Sequence, residues 1–405
     1  MKTRKRILPA LLAAFATAVA APAAHSAQFS GVYVFGDSLS DAGYFRPVLA
    51  SLGLPAPVVA QLGRFTTNPG PVWSELVSQY YGFTPAPSNV AGGNIFAQGG
   101  ARVSAASAST PPGHPQRPVS TQIDEFLQAS GGQADPGALY AVWAGGNDFL
   151  QNIGAFQAGA ITQAELQANV LGAAQSEIGQ IARLRAAGAR YILVFGLPDI
   201  GIAPASLAGG PAAAAGATAL SAGYNTTLFT GLAGAGIRAI PVDVFSLINE
   251  VRANPSAFGF TNVTGLACGP FPPITTSGNA QFCLPSNLVA PGADQEYLFA
   301  DAIHPSSATH GIIADFVQSL IEGPTQYSLL AEAALRTRSS HVRVLNDGLA
   351  TGRKAAPGGV HVFAGGSGGN FDIDAGAGTT GLDSRVRSAT LGVTLRASDS
   401  AIVGL

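Results

Sequence analysis

The sequence predicts an α/β protein: a mainly parallel sheet with helices on both faces, followed by a segment of antiparallel strands. Three observations predict it. Short apolar runs rich in Val, Ile, Leu and aromatic residues alternate with longer stretches whose apolar residues recur at helical spacing. The strand-like runs are apolar throughout, as strands covered on both faces must be. From about residue 361 the pattern changes to period-two alternation interrupted by Gly-rich turns.

The elements follow in order. Residues 1–27 begin with Lys2, Arg4, Lys5 and Arg6, continue as an apolar stretch, and end in the small residues Ala23, Ala24, Ser26 and Ala27. That is the build of a secretory signal peptide, with cleavage expected near Ser26 or Ala27. No later run reaches the ~18 apolar residues of a membrane-spanning helix. The first strand is expected at 32–35 and stops at Gly36-Asp37-Ser38. A helix is expected over 71–81, a strand over 139–143, a long helix over 161–187 and a strand over 190–195. Residues 212–236 read as a helix weakened by Gly and Thr. Residues 237–245 read as a strand, and Pro241 within it suits an edge or a bulge. The last helix of this region spans 306–322, with Ile312, Ile313, Phe316, Leu320 and Ile321 on one side. Polar loops at 44–70, 102–120 and 255–295 are the expected walls of a site.

Composition shifts near residue 324. The expected organisation is a signal peptide (1–27), an α/β domain (28–323), a linker with a helix at 327–338 (324–360), and strands (361–405). The strands resemble those of an outer-membrane barrel. Three or so are present where closure takes at least about eight; the start of a barrel is expected, with a small β-appendage or a disordered tail as the alternative.

The chain has 405 residues, of which 47% are hydrophobic and only 11% charged, with 51 Gly and 27 Pro. So little charge suits an exported protein. A net charge of -2 gives no footprint for nucleic acid. Two Cys and one Met exclude a Cys-rich metal cluster. In an exported chain, Cys268 and Cys283 are expected to form a disulfide, stabilising by roughly 3 kcal/mol in the chain-entropy model.

Gly36-Asp37-Ser38 has two readings. One is a strand end followed by a helix cap. The other is a serine nucleophile at the carboxyl edge of a parallel sheet, where ligands bind. A serine needs a base, and the base needs an orienting group. Of six His, His25 lies in the signal region, His114 in a Pro-rich loop, and His341 and His361 in the C-terminal segment. His304 and His310 remain, in YLFADAIHPSSATHG. Asp301 stands three residues before His304 and can reach its Nδ1, leaving Nε2 for a serine. Alone, such a pair is equally an ordinary surface ion pair. His310 reads as structural, on the polar side of its helix. Donors for an oxyanion can come from Gly99-Gly100 in 92–103 and from Asn147 after the 139–143 strand. Each stretch alone is also a common turn sequence.

Taken together and in this order, GDSLSDAG, GGNIFAQGGA, GGND and DAIHP resemble the GDSL (SGNH) serine esterases and lipases, over about residues 29–323. VFGLPDIG at 194–201 is similar to a further family block. The resemblance implies a three-layer α/β/α flavodoxin-like sandwich. It implies Ser38 as nucleophile, His304 as base and Asp301 as orienting acid. It implies an oxyanion hole made by the Ser38 N–H, the Gly99 N–H and the Asn147 side chain. Asp37, Asp41 and Asp148 match positions that stabilise loops as hydrogen-bond acceptors. No metal or organic cofactor is implied, and Ser38 does not sit in a G-x-S-x-G elbow. The implied partner is an ester or lipid substrate, with no nucleic acid and a monomeric protein. Its acyl pocket is expected from the loops at 44–70 and 102–120, with Leu52, Leu54, Val58, Val59 and Phe65. An acyltransferase, a carbohydrate acetylesterase and a non-catalytic surface passenger share enough of this pattern to stand as alternatives. Signal peptide, hydrolase domain, helix and barrel-like strands together resemble the family's autotransporter branch. That implies export to the outer membrane or surface of a Gram-negative bacterium, or secretion.

Overall fold

Apolar runs and Gly breaks translate directly into a sheet. A computed structural model describes residues 29–107, 116–373 and 382–404. The predicted signal peptide at 1–27 and His114 lie outside the described residues. Strands β1 (Val32–Gly36), β2 (Leu139–Trp143), β3 (Tyr191–Phe195) and β4 (Ile240–Val242) pair in parallel in that order. Residues 94–98 lie along the free side of β1. The Val34 N–H donates to the Asn94 carbonyl, and the Phe96 and Gln98 N–H groups donate to the Val34 and Gly36 carbonyls. With that edge included, the spatial order is the 2-1-3-4-5 of a flavodoxin-like sheet. Pro241 sits in β4, which pairs with β3 alone, so its missing N–H breaks no ladder.

The helices along the chain are α1 (Arg46–Ser51), α2 (Ala56–Gln61), α3 (Trp73–Tyr80), α4 (Val119–Ala129), α5 (Gly146–Gln157), α6 (Gln163–Ala186), α7 (Pro204–Ala208), α8 (Pro211–Gly234), α9 (Val244–Ala253), α10 (Ala293–Glu296) and α11 (Ser307–Gly352). Strand periodicity sorts the core into two layers. Val34, Ala141, Trp143, Leu193 and Phe195 face α3, α9 and the start of α11. Phe35, Tyr140, Val142, Ile192 and Val194 face α4, α6 and α8. Both faces of the sheet are covered, which is why its strands read as unbroken apolar runs.

Three expectations change. The strand expected over 237–245 is only Ile240–Val242, because Asp243 caps α9 by accepting from the Ser246 N–H at 3.0 Å. A continuous apolar run concealed that helix start. The helices expected at 306–322 and 327–338 are one helix, with Pro324 inside it. A proline removes one intrahelical bond, and the turns on either side carry the helix through. The loop expected at 44–70 contains α1 and α2, and the one at 255–295 contains β5 (Asn262–Leu266), which pairs with β6 (Tyr297–Phe299).

The C-terminal segment is an antiparallel sheet of β7 (Val360–Ile373), β8 (Leu382–Arg396) and β9 (Ile402–Gly404). It lies against the second half of α11: the Phe363 ring occupies the space beside Gly348, and Val344 sits beside Gly365.

Cys268 and Cys283 are joined, with Cα atoms 5.4 Å apart. The bridge staples the loop that supplies the Ala280 N–H described below. Replacing both cysteines with serine should cost roughly 3 kcal/mol of stability. The check is the denaturant midpoint with and without a reductant, which should destabilise the native chain and leave the double variant unmoved.

Candidate active site

The serine is placed by close packing at the end of β1. A Cβ on Gly36 would stand 2.4 Å from the Trp143 carbonyl oxygen, so only glycine fits there. The buried Gln122 of α4 pairs with both backbone groups of Gly36, accepting from its N–H at 2.9 Å and donating to its carbonyl at 2.8 Å. The chain then turns. Asp37 accepts from the Leu39 N–H through its carboxylate (3.0 Å) and from the Ser40 N–H through its carbonyl (3.1 Å). From α3, the Trp73 indole N–H donates to Ser40 Oγ, and the Ser74 hydroxyl donates to the Ser40 carbonyl. The turn is held on both sides, and Ser38 projects from it.

The histidine comes from the loop between β6 and α11. The Ala300 N–H donates to the His304 carbonyl at 2.8 Å, closing a tight loop, and Ser306 caps α11 by accepting from the Thr309 N–H. Asp301 Oδ1 accepts from the Ile303 and His304 N–H groups (3.0 and 2.8 Å), and Oδ2 accepts from the Ala280 N–H (2.9 Å). His304 Nδ1 lies 2.9 Å from both carboxylate oxygens, and His304 Nε2 lies 3.0 Å from Ser38 Oγ. Residues 38, 301 and 304 thus meet as a continuous hydrogen-bonded chain.

Burial alone would raise the Asp301 carboxyl. The His304 charge, the ring N–H and the backbone donors overcome it and hold Asp301 at about 2. Burial alone would push the His304 imidazole down; the Asp301 charge and hydrogen bond outweigh it and hold the ring above 6.5. Asp301 is therefore ionised, and Nδ1 carries the proton that faces it.

Asn147 sits in the first turn of α5, at the carboxyl edge of β2. Its amide donates one N–H to the Ala101 carbonyl at 3.0 Å, which fixes the other toward the pocket it shares with Ser38 and His304. Gly145, at φ +95°, caps this helix, and a Cβ there would strike the Tyr224 hydroxyl at 2.3 Å. The Tyr224 hydroxyl donates to the buried Glu177 carboxyl at 2.6 Å. Burial holds Glu177 well above the usual carboxyl range.

The Gly99 N–H has another partner than the oxyanion that the resemblance implies: it donates to Asp41 Oδ2 at 2.8 Å, so it is already engaged. The Ala101 N–H donates to the Gln98 carbonyl across a turn whose third residue, Gly100, has φ +78°, as a type II turn requires. Among the described residues nothing accepts from the Gly100 N–H or the Ser38 N–H. The turn rule applied to QGGA is the sequence signal that separates Gly99 from Gly100. Gln122, by contrast, left no signal in the sequence.

The three acidic residues matched to loop positions act as acceptors. Asp37 accepts from Leu39, Asp41 from Gly43, Tyr44 and Gly99, and Asp148 from the Val103 N–H and Arg102 Nε. Burial pushes Asp37 up to about 7 and Asp41 to about 6. His310 is fully buried instead of lying on a polar helix face. Its Nδ1 accepts from the Trp73 N–H at 3.3 Å, and burial pushes the ring down to about 3.

An apolar pocket opens beside Ser38 and His304, lined by Leu39, Leu150, Ile200, Ile248, Leu298 and Ile313 among others. The loop residues expected to line it do not. Leu54, Val58 and Val59 pack with Phe282 and Leu284 in a separate cluster, and Leu52 is exposed. Phe65 lies against the His304 ring instead, with centroids 5.2 Å apart. Those loop residues satisfy the 255–295 segment, and helices α5, α9 and α11 wall the pocket.

Residues 32–317 match the family model described as GDSL-like Lipase/Acylhydrolase. The chain belongs to the GDSL-like lipase/acylhydrolase family. It is 32% identical to an uncharacterised protein of the trpE-trpG intergenic region of Pseudomonas putida, over 82% of this chain and 55% of that one. It is 30% identical to esterase EstA of Pseudomonas aeruginosa, over 99% of this chain and 63% of that one. It is 26% identical to a phosphatidylcholine-sterol acyltransferase of Aeromonas hydrophila, over 75% of this chain and 92% of that one. The chain thus spans less than two thirds of the length of the first two.

The ion pair makes a prediction that needs no substrate. In Asp301→Asn the charge that raises His304 is gone while burial stays, so the imidazole should titrate below 6.5 instead of above it. Histidine resonances followed by NMR across pH check this; an unmoved titration would remove Asp301 as the cause.

Proposed function

We propose that this GDSL-family chain is a carboxylic ester hydrolase working through an acyl-enzyme on Ser38. The observation that carries this reading is the chain Ser38 Oγ to His304 Nε2 at 3.0 Å and His304 Nδ1 to Asp301 at 2.9 Å, at the mouth of an apolar pocket. His304 takes the proton of Ser38 as its oxygen attacks the ester carbonyl. Asp301 stabilises the imidazolium so formed. The oxyanion rests on the Ser38 N–H, the free N–H of Asn147 and, in place of Gly99, the Gly100 N–H. His304 then protonates the leaving alcohol, and water releases the acid by the same steps.

Acyl transfer to a second alcohol is the alternative that a specific observation favours, since an acyltransferase is among the relatives. Products formed with an added alcohol separate the two. A carbohydrate acetylesterase fits less well, because the pocket lining is apolar. A non-catalytic passenger would have no need of the Ser38–His304 contact.

We further propose export to a Gram-negative outer membrane, with β7–β9 supplying barrel strands of the autotransporter type. The face pattern of this sheet is the support. Val360 and Val362 stand opposite Leu395 and Val393 on one face, and all four are exposed. On the opposite face, toward α11, Thr390 and Thr394 are buried, and Thr390 Oγ1 lies 3.2 Å from His341 Nδ1. The inner face mixes these threonines with the Phe363 ring, and it is the apolar outer face at this end of the sheet that suits a strand facing lipid.

Two outcomes are expected. The enzyme should hydrolyse p-nitrophenyl butyrate, Ser38→Ala should lose at least on the order of 10⁴-fold in kcat, and Asn147→Ala about 10²–10³-fold. In native enzyme kcat/KM should fall as pH drops through the raised His304 pKa, because the base must be neutral. Rates of folded wild type and variants across pH check both, and equal rates for wild type and Ser38→Ala would end the acyl-enzyme reading. For location, Val362→Asp and Leu391→Asp on the outer sheet face should deplete the outer-membrane fraction of expressing cells. An unchanged distribution would count against the barrel.

A further inference from the structure

A second apolar groove adjoins the site. It runs between α5, α6, α7 and α8 and encloses about 650 Å³, within the ~300–1,000 Å³ of small-molecule sites. The pocket at Ser38 is far smaller, about 70 Å³, room for roughly five water-sized groups at ~10–15 Å³ each. Leu150 and Ile200 line both spaces, so the groove and the pocket adjoin at these two side chains.

Its chemistry is uniform. Among the described residues no Asp, Glu, Lys or Arg lines it, and its polar side chains are Gln and Ser. The α8 wall has no charged residue in 24, and Ala212, Ala213 and Ala219 of that helix are exposed. A surface helix normally carries charged residues on its outer face. Here the exposed alanines of its first turns form the open wall of the groove. Gly154 of α5 and Gly216 of α8 both line it, and a Cβ on either would meet nothing within 4 Å. A smooth, uncharged trough leading from a serine suits an unbranched hydrocarbon, which asks for contact area and no hydrogen bonds.

We propose that this groove seats the long acyl chain of the substrate, entering over Leu150 and Ile200, and that the preferred substrates are long-chain acyl esters. The proposal rests on the reading of Ser38 as nucleophile. It makes Gly154 and Gly216 determinants of chain length.

The test fills the groove from its open side. Gly154→Phe and Gly216→Phe add bulk where nothing stands and replace a poor helix former, so folding should persist, with circular dichroism as the check. The control is Gly172→Phe on α6, a helical glycine outside the groove whose Cβ also meets open space. The probes are p-nitrophenyl butyrate, p-nitrophenyl palmitate and hexadecyl acetate, dispersed in one detergent. Each filling variant should lower the palmitate-to-butyrate ratio of kcat/KM at least tenfold, with the control at the wild-type ratio. A wild type inactive on every ester would sink the nucleophile reading itself. A wild type active on butyrate and palmitate, with filling variants at its ratio, would overturn the groove. Loss confined to hexadecyl acetate would overturn the acyl assignment and give the groove to the alcohol chain.

Discussion

The Asp301 carboxylate accepts from three backbone N–H groups and the His304 ring, and the arrangement of the site follows from its need for all of them. A buried charge is costly unless fully paired, and removing one partner of such a pair costs about 3–5 kcal/mol. Two of the N–H donors lie on its own turn. The third, from Ala280, belongs to the loop closed by Cys268 and Cys283. That loop holds the next one: Asn68 donates to the Ala280 carbonyl at 2.8 Å, and its own N–H donates to the Cys283 carbonyl. Thr66 in turn donates to the Pro305 carbonyl, and Phe65 reaches the His304 ring. The charge that orients the proposed base therefore also orders two long loops around it.

The serine side is built on packing. Trp143 and Phe195 stack with centroids 4.7 Å apart, and Trp73 lies 4.4 Å from Phe195. Such pairs contribute about 0.5–1.5 kcal/mol each beyond the area they bury. The same Trp143 presses its carbonyl against Gly36, and the same Trp73 binds Ser40 and His310. Rigid aromatic side chains thus set the floor of the turn from which Ser38 projects. A 3.0 Å contact between residues 266 apart in sequence requires both halves to be this well determined.

The sequence was most legible where local chemistry and tertiary role agree. Apolar runs marked β1, β2 and β3 almost to the residue, since a parallel strand is buried on both faces. GDSL, GGND and DAIHP marked the serine, the asparagine and the Asp–His pair, whose side chains the fold gathers. Legibility failed where the partner is remote. Nothing near Gly99 in the sequence says that Asp41 takes its N–H, and nothing near Gln122 says that it replaces a strand neighbour for Gly36. The apolar content of 44–70 was read correctly as something to bury. Its partners, Phe282 and Leu284, lie more than 200 residues away, so burial beneath a loop was indistinguishable from a pocket wall. Helix α11 misled for a local reason: Pro324 is a strong breaker on average, and the helical turns on either side carried the helix through it.

Low charge, first read as a mark of export, acquires an address in the fold. The uncharged residues do not simply enlarge the core. They appear as the exposed alanines at the start of α8 and as one end of the outward face of β7 and β8, short of the exposed Arg387, where Leu391 is 76% exposed while Thr394 is 1% exposed. In water, burial should run the other way. A charge placed on either surface would cost the fold little, so folding does not explain its absence. Contact with hydrocarbon is the account we propose for both: an acyl chain along α8, and a bilayer against the sheet.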